Sequence, residues 1–339
     1  MSRELGTVDH VRLLEAFSVE ARLLGEVAHS ASPDSPVPTA PGWTLNELLK
    51  HVGSVYWQAL GWIREGHRPE LWREPLPGQP VADFCSAARL ELEAELAAHD
   101  PATRAATWWA ADPTHGFWRR RMLHETLVHR VDAENAAGIG DSTVPDDLAA
   151  DGVDEALTLY FGHKLTTMGI SGTRNGTVGF HTGGHSWIAR AGPGETEAWR
   201  CSPREADAAD AIVSGPPANV YLWLWGRVPV TMVHTDGDHE LSAQAWALLR
   251  LGHPIASENR KRGSFPVRRC PPTTVAIRLC RQARYPRACR HGSFPVPLRR
   301  RPPFLSALPA TVATWQHVWP IWSPPPKNQH AWPASGPTS

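Results

Sequence analysis

The chain has 339 residues, of which 42% are hydrophobic, enough to build the buried cores of two domains of ordinary size. No stretch reaches the roughly 20 consecutive apolar residues that a membrane-spanning helix requires, and acidic residues interrupt the first 24 positions, where a signal peptide would be apolar. We therefore expect a cytoplasmic protein without a membrane segment. Five cysteines without C-x-x-C spacing indicate neither a disulfide framework nor a cysteine zinc site.

The formal net charge of zero conceals two oppositely charged parts. Residues 1–252 hold 20 Lys and Arg against 33 Asp and Glu, whereas residues 253–339 hold 14 against one, which gives net charges of −13 and +13. The second part also contains 16 of the 32 prolines, and proline removes backbone donors and blocks helix interiors. We expect residues 253–339 to be a disordered tail or the product of an out-of-frame reading of a GC-rich gene.

Apolar residues at helical spacing predict four long helices and a fifth helical stretch. The predicted helices run from Val8 to His29, from Thr44 to Arg64, from Val81 to His99, from Phe117 to Ala137 and from Pro145 to Met168. The second begins with Thr44 and Glu47 in the S/T-x-x-E pattern of a capping box. Four helices separated by loops rich in proline and glycine are typical of a bundle whose facing side chains can build an internal site.

Beyond Ser171 the pattern changes to short runs with β-strand character. The predicted strands are Gly176–Thr182, Ser186–Arg190, Ala211–Ser214 and Val230–His234, and the runs Pro217–Trp225 and Leu241–Leu251 are predicted to be helical. The fold class is therefore α+β with two domains. A four-helix bundle takes residues 1–170, a small α+β domain takes residues 171–252, and the tail takes residues 253–339.

Two residues of the fourth predicted helix stand out chemically. Glu125 and His129 lie within about 40° of each other on an ideal helix, on a face that is otherwise apolar. Because an isolated buried carboxylate is costly, Glu125 should be paired, protonated or bound to a cation. His51, at the edge of the apolar face of the second helix, could point across the bundle at both residues. Two imidazoles and one carboxylate form the open tripod of a catalytic zinc site.

Simpler interpretations of these residues remain open at this point. The E-x-x-x-H spacing also suits an ion pair between successive helical turns, and a histidine beside an apolar face is often only a hydrogen-bonded core residue. The same donor set also suits Fe²⁺, Mn²⁺ or Ni²⁺. The spacing alone therefore does not decide between a metal site and an ordinary buried pair.

Two longer motifs resemble a known family. The run Trp43-Thr-Leu-Asn-Glu-Leu-Leu-Lys-His51 and the run His124-Glu-Thr-Leu-Val-His-Arg-Val-Asp132 resemble the metal-binding domain of mycothiol-dependent maleylpyruvate isomerases, a branch of the DinB-like four-helix bundles. This similarity spans residues 8–170. The segment that ends at Arg227-Val-Pro229 is similar to the family's C-terminal domain, a sterol-carrier-like α+β fold. The resemblance implies that His51, Glu125 and His129 bind zinc, whereas His124 points about 100° away from Glu125 and is not counted as a ligand.

The resemblance also implies a thiol cosubstrate. It implies that the open position of the zinc receives the thiol of mycothiol, the low-molecular-weight thiol of actinobacteria, and coordination deprotonates a thiol. The thiolate would add to the double bond of a small electrophile, and rotation followed by elimination would release the trans isomer. With another electrophile the adduct itself would be the product. The expected activity is that of a mycothiol-dependent isomerase or a mycothiol S-transferase.

Three further predictions concern residues near these motifs. Asp132 could accept the ring N–H of a ligand histidine or form a salt bridge with an arginine. Arg227 could be a catalytic residue that binds a dicarboxylate substrate, or it could cap its helix. The run Arg119-Arg120-Arg121 is expected to be a solvated charge run rather than a contact to an anionic ligand.

Two alternatives come from other functional classes. A non-catalytic protein could use the bundle and the second domain to hold a ligand or to sense zinc. The basic tail could bind nucleic acid through its phosphates, with tryptophans as stacking partners. We favour the enzyme, with mycothiol and a small electrophile as partners and without nucleic acid, and we predict neither the substrate nor the oligomeric state.

Overall fold

The computed structural model describes residues 6–140 and 142–252, and the tail predicted over residues 253–339 lies outside these described residues. The first four helices are α1 (His10–Ser30), α2 (Leu45–Glu65), α3 (Val81–Ala98) and α4 (His115–Ala136). Helix α1 packs on α4 and α2 packs on α3, with further contacts between α1 and α3 and between α2 and α4. The predicted four-helix bundle is confirmed, and none of the helices within the described residues has the length and hydrophobicity needed to cross a membrane.

Helix α2 begins where the capping box predicts. The Thr44 hydroxyl accepts a hydrogen bond from the Glu47 amide at 3.4 Å, and the Glu47 carboxylate accepts one from the Thr44 amide at 2.7 Å. Without these two acceptors, the amides of Glu47 and Thr44 would have no hydrogen-bond partner at the helix start. The cap fixes the beginning of the helix that carries His51.

Helix α4 is the most deeply buried element of the bundle. Every residue from His115 to Ala133 is buried, including its three consecutive arginines. The prediction of a solvated charge run at Arg119–Arg121 is therefore wrong. The reason is that the helix is covered on all sides, and carboxylates of the next helix, such as Asp151 and Glu155, reach the arginines inside the fold.

The fifth helical stretch is continuous but changes its type. Helix α5 (Asp146–Glu155) runs into a π-helical segment, Ala156–Lys164, and ends in a last α-helical turn, α6 (Leu165–Thr167). Helix α5 packs against α8 (Pro217–Leu224), and the π-helical segment packs against strand β3 (Glu195–Arg200). This stretch therefore lies between the bundle and the elements that follow it.

The second half of the described chain is a mixed sheet with short helices. One sheet holds five strands, β1 (Gly176–Thr182), β2 (His185–Gly192), β3, β4 (Ala211–Ser214) and β5 (His234–Gly237), in the order β3-β2-β1-β4-β5. Two further helices are α7 (Pro203–Ala206) and α9 (His239–Gly252). Strand β1 pairs with β2 in antiparallel and with β4 in parallel orientation. The predicted α+β fold class is confirmed.

Two details of the sheet differ from the prediction. Strand β3 was not predicted, because its sequence Glu-Thr-Glu-Ala-Trp-Arg is mostly polar, as befits a strand at the sheet edge. The strand predicted over Val230–His234 is wrong, because Val230–Met232 forms a 3₁₀ turn and β5 begins only at His234. The Met232 amide donates to the Pro229 carbonyl at 3.1 Å. The β-branched residues of this run favour a strand, but here a backbone hydrogen bond closes a local turn instead of pairing with a neighbouring strand.

Candidate metal centre

The three predicted ligands converge from α2 and α4. Nε2 of His51 lies 3.2 Å from Oε1 of Glu125, and Nε2 of His129 lies 3.3 Å from the same oxygen. The ligand atoms of the three residues all lie within 4.8 Å of one another. Zinc bonds of about 2.0–2.2 Å to nitrogen and oxygen need such a convergence of donors, so the residues present fit a divalent metal ion.

The second oxygen of Glu125 is held by an arginine that was not predicted. Nη2 of Arg121 lies 2.8 Å from Oε2 of Glu125, and Nη1 of Arg121 pairs with Glu155. Burial alone would raise the pKa of Glu125, but hydrogen bonds from His129 and His51 and the charge of Arg121 hold it well below its ordinary value. Glu125 is therefore ionised, with Oε1 turned towards both imidazoles.

His129 is oriented by Asp132. Oδ2 of Asp132 lies 3.0 Å from Nδ1 of His129, so an N–H at that position donates to the carboxylate, and Nε2 is the ring nitrogen that faces Glu125. Burial would lower the pKa of His129, but the two carboxylates of Asp132 and Glu125 raise it above its ordinary value. Burial would likewise raise the pKa of Asp132, but Arg227 and His129 lower it.

Arg227 lies behind this pair. Its Nε donates to Oδ1 of Asp132 at 2.9 Å and its Nη1 donates to the Trp225 carbonyl at 2.6 Å, with 1% of the side chain exposed. Asp132 thus makes both contacts that were open alternatives, one to a histidine and one to an arginine. That Arg227 is a catalytic residue that binds the substrate stays a prediction. In the structure its guanidinium group is bonded to other residues of the protein.

His124 lies apart from the cluster. It is fully buried, and its Nε2 lies 2.9 Å from Oδ2 of Asp151. The helical twist that separates it from Glu125 directs it towards α5 instead.

The centre is open on the side of His51. The His51 side chain is 24% exposed, against 7% for Glu125 and 2% for His129. The Trp43 ring centroid lies 5.2 Å from that of His51, and the exposed Trp72 ring lies at 6.3 Å. An external ligand would therefore meet aromatic side chains beside the histidine.

Lys164, the last residue of the π-helical segment, is a second unpredicted cation near the centre. Its Nζ lies 4.7 Å from the centroid of the Tyr160 ring, and the Arg121 guanidinium lies 5.2 Å from the same ring. Burial and the charge of Arg121 lower the pKa of Lys164 to about 8, against the opposing effect of Glu125 and Glu155. No carboxylate of the described residues forms an ion pair with it. A lysine three residues after the mostly apolar run Ala156-Leu-Thr-Leu-Tyr-Phe161 is the available sequence signal.

Family models match both halves of the described chain. The model described as the mycothiol maleylpyruvate isomerase N-terminal domain matches residues 14–134, and the MDMPI C-terminal domain model matches residues 147–244. The chain belongs to the mycothiol-dependent maleylpyruvate isomerase family. The second family model begins within α5, which we assigned to the first domain, and the domain boundary at residue 170 stays a prediction.

Solved structures of a family enzyme are similar to this chain. A crystal structure of the mycothiol-dependent maleylpyruvate isomerase has 13% sequence identity and a TM-score of 0.46, over 68% of this chain and 95% of that one. A histidine-to-alanine variant of that isomerase gives a TM-score of 0.47 with the same identity and coverage. A comparison with curated proteins gave no match.

Proposed function

We propose that this family member is an enzyme in which His51, Glu125 and His129 hold a divalent metal ion, with zinc as the first candidate. Mycothiol would be its thiol cosubstrate, and a small electrophile its substrate, converted by cis–trans isomerisation or S-transfer. The observation that carries the proposal is the position of Glu125 Oε1, which faces Nε2 of both histidines within 3.3 Å. Such a metal would supply the Lewis acidity that lowers the pKa of a thiol at an open coordination position.

The surrounding residues prepare this centre before any ligand binds. Hydrogen bonds from His129 and His51, together with the charge of Arg121, keep Glu125 ionised, and Arg121 also holds its Oε2, which leaves Oε1 for the metal. Asp132 orients the His129 ring, and Arg227 in turn holds Asp132. Ligands held in this way need little rearrangement, which favours metal affinity.

The cysteines of the described residues support an external thiol. Burial raises the pKa of Cys85 to about 12, and burial together with Glu205 raises the pKa of Cys201. Thiols of this kind stay protonated at neutral pH, and the thiolate is the nucleophile. Within the described residues the nucleophilic sulfur is therefore better supplied by a cosubstrate than by the protein.

The electrostatics beside the centre indicate the charge of the substrate. Lys164 has aromatic neighbours, Tyr160 and Trp108, but no carboxylate partner among the residues described. A partly desolvated ammonium group that forms no direct ion pair within the described chain favours an anionic ligand. We infer that the substrate carries a carboxylate that contacts Lys164.

The test combines metal content with turnover in the full-length protein. In His51→Ala and in Glu125→Gln the bound zinc should fall by one equivalent, and mycothiol-dependent turnover of an activated electrophile should be lost. His67→Ala, which changes an exposed histidine, is the control and should retain both. Turnover that survives in His51→Ala would contradict the proposed centre, and a metal-binding protein without turnover would favour the non-catalytic alternative.

A further inference from the structure

A second cluster of histidine and glutamate lies where α3 ends and α4 begins. Glu95 and His99 are one helical turn apart at the end of α3, and His115 is the first residue of α4. Their ligand atoms also lie within 4.8 Å of one another. His115 precedes Glu125 by ten positions in the same helix, about 15 Å along its axis at 1.5 Å per residue. The cluster is therefore separate from the candidate centre.

The carboxylate of this cluster is held in the same manner as Glu125. Nε of Arg64 lies 2.6 Å from Oε2 of Glu95, and Oε1 of Glu95 lies 3.5 Å from Nδ1 of His99. An arginine thus takes one oxygen and leaves the other beside an imidazole. A carboxylate with one oxygen so placed can serve as a monodentate metal ligand.

Both imidazoles of the cluster are oriented by a backbone carbonyl. Nδ1 of His115 lies 3.1 Å from the Thr103 carbonyl, and Nδ1 of His99 lies 3.0 Å from the Glu95 carbonyl. A carbonyl only accepts, so each Nδ1 carries a proton, and in the neutral ring Nε2 carries the lone pair. Metal-binding histidines are commonly oriented by this kind of hydrogen bond to a backbone carbonyl.

One of these lone pairs is buried without a partner. His115 is 4% exposed, and its Nε2 has no hydrogen-bond partner among the described residues. The His99 and His115 rings stack at an interplanar angle of 20° with centroids 4.4 Å apart, so their in-plane lone pairs run side by side, and the exposed His99 ring must turn out of the stack for both to reach one ion. A buried acceptor without a donor is costly and calls for an ion or a water.

We propose that Glu95, His99 and His115 bind a second divalent transition-metal ion. The ion would tie the end of α3 to the start of α4 across the loop of residues 100–114, and so would stabilise the bundle. Arg64 and Arg119 lie close by, and Arg119 donates to the His99 carbonyl at 2.8 Å. Their charges oppose a cation, so this site should bind zinc more weakly than the centre at His51. The proposal uses no residue of the proposed function.

Zinc titration of the full-length protein by calorimetry tests the second site. The unaltered protein should bind two equivalents and His51→Ala one. That remaining ion should be lost when His99→Ala or His115→Ala is added to His51→Ala. His99 is tested because its exposed ring can be removed without opening the core. The control is His29→Ala, whose Nδ1 lies 2.6 Å from the Gly25 carbonyl in the same local geometry without a nearby ligand set.

A thermal measurement gives an independent result. Zinc should raise the Tm of His51→Ala, because an ion that binds only the folded state stabilises it, and should leave the Tm of His51→Ala/His99→Ala unchanged. The proposal is overturned if His51→Ala binds no zinc, or if its remaining ion persists in the His99→Ala and His115→Ala backgrounds. Loss of turnover in His51→Ala alongside these results would still support the first centre, so the two proposals fail separately.

Discussion

Asp132 shows how one residue can connect the metal centre to the second half of the chain. It bonds His129, which belongs to its own helix, and Arg227, which follows α8. Its carboxylate is fully buried, so water cannot compensate His129 and Arg227 for the loss of its negative charge. The side chain orients a ligand without touching the metal position itself.

Asp132→Asn should therefore weaken metal binding by about 10- to 100-fold, the usual effect of losing such an outer partner. The amide cannot accept a charge-assisted bond from the His129 ring as the carboxylate does. Competition with a chromogenic chelator measures the change, and Asp147→Asn, which alters an exposed carboxylate on α5, serves as control. An unchanged zinc affinity in Asp132→Asn would remove the orienting role.

Lys164 leads to a prediction about substrate rather than metal. A charge-assisted hydrogen bond contributes about 1.5–3 kcal/mol, so Lys164→Met should lower kcat/KM for a carboxylate substrate about 10- to 150-fold, mainly through KM. Zinc content should not change. Lys164→Arg should restore part of the loss. An equal loss with a neutral electrophile would show that Lys164 does not act through the substrate charge.

At the scale of single residues, the sequence predicts the metal ligands from the spacing of neighbouring residues along the chain. His51, Glu125 and His129 were found because one pair lies four residues apart on one helix and because the family motif includes the third residue. Arg121 and Lys164 were not found, because their significance comes from Glu155 and Tyr160, which only the folded chain brings to them. Side-chain partners distant in sequence leave no local pattern.

At the scale of elements, the start of α2 is defined by two side chains. Thr44→Ala should destabilise the fold by about 1 kcal/mol, because the Glu47 amide loses its acceptor at the helix start. Urea unfolding measures this difference. Thr44→Ser, which keeps the hydroxyl, should stay near the unaltered protein. A destabilisation of equal size in both variants would mean that the threonine methyl group, rather than the cap, is responsible.

The helices were predicted better than the strands for a physical reason. A helix closes its hydrogen bonds within itself, so apolar spacing and caps suffice to place α1 to α4. A strand needs a neighbour, and β3 is defined by its pairing of Arg200 with Trp187 in β2 rather than by its own polar sequence. The β-branched run after Pro229 finds no such neighbour until His234 pairs with Ser214.

At the scale of the molecule, a buried ionic network joins the bundle to the sheet. Arg120 of α4 donates to Asp151 at 2.7 Å and to Asp154 at 2.8 Å, both on α5. Asp154 also accepts from Nε1 of Trp187 in β2 at 2.7 Å. Helix α5 thus links the sheet by hydrogen bonds to α4, the helix that carries Glu125 and His129.

Asp151 makes this junction sensitive to acid. Burial would raise its pKa, but Arg120 and His124 lower it below the ordinary value for an aspartate. The folded state therefore binds a proton less readily than the unfolded state. Its contribution to stability is complete above the unfolded pKa of about 3.9 and declines as the pH falls below it, by up to about 1.4 kcal/mol per pH unit.

Removing this carboxylate should therefore flatten the acid limb of the stability curve. Asp151→Asn should be less stable than the unaltered protein at pH 6, because Arg120 loses a buried counter-ion, and the gap should narrow from pH 4 to pH 3. Urea unfolding across this range measures both curves, and the exposed Asp83→Asn should follow the unaltered protein throughout. If the Asp151→Asn curve instead ran parallel to the unaltered one down to pH 3, the ionised Asp151 would not be what stabilises the junction between bundle and sheet.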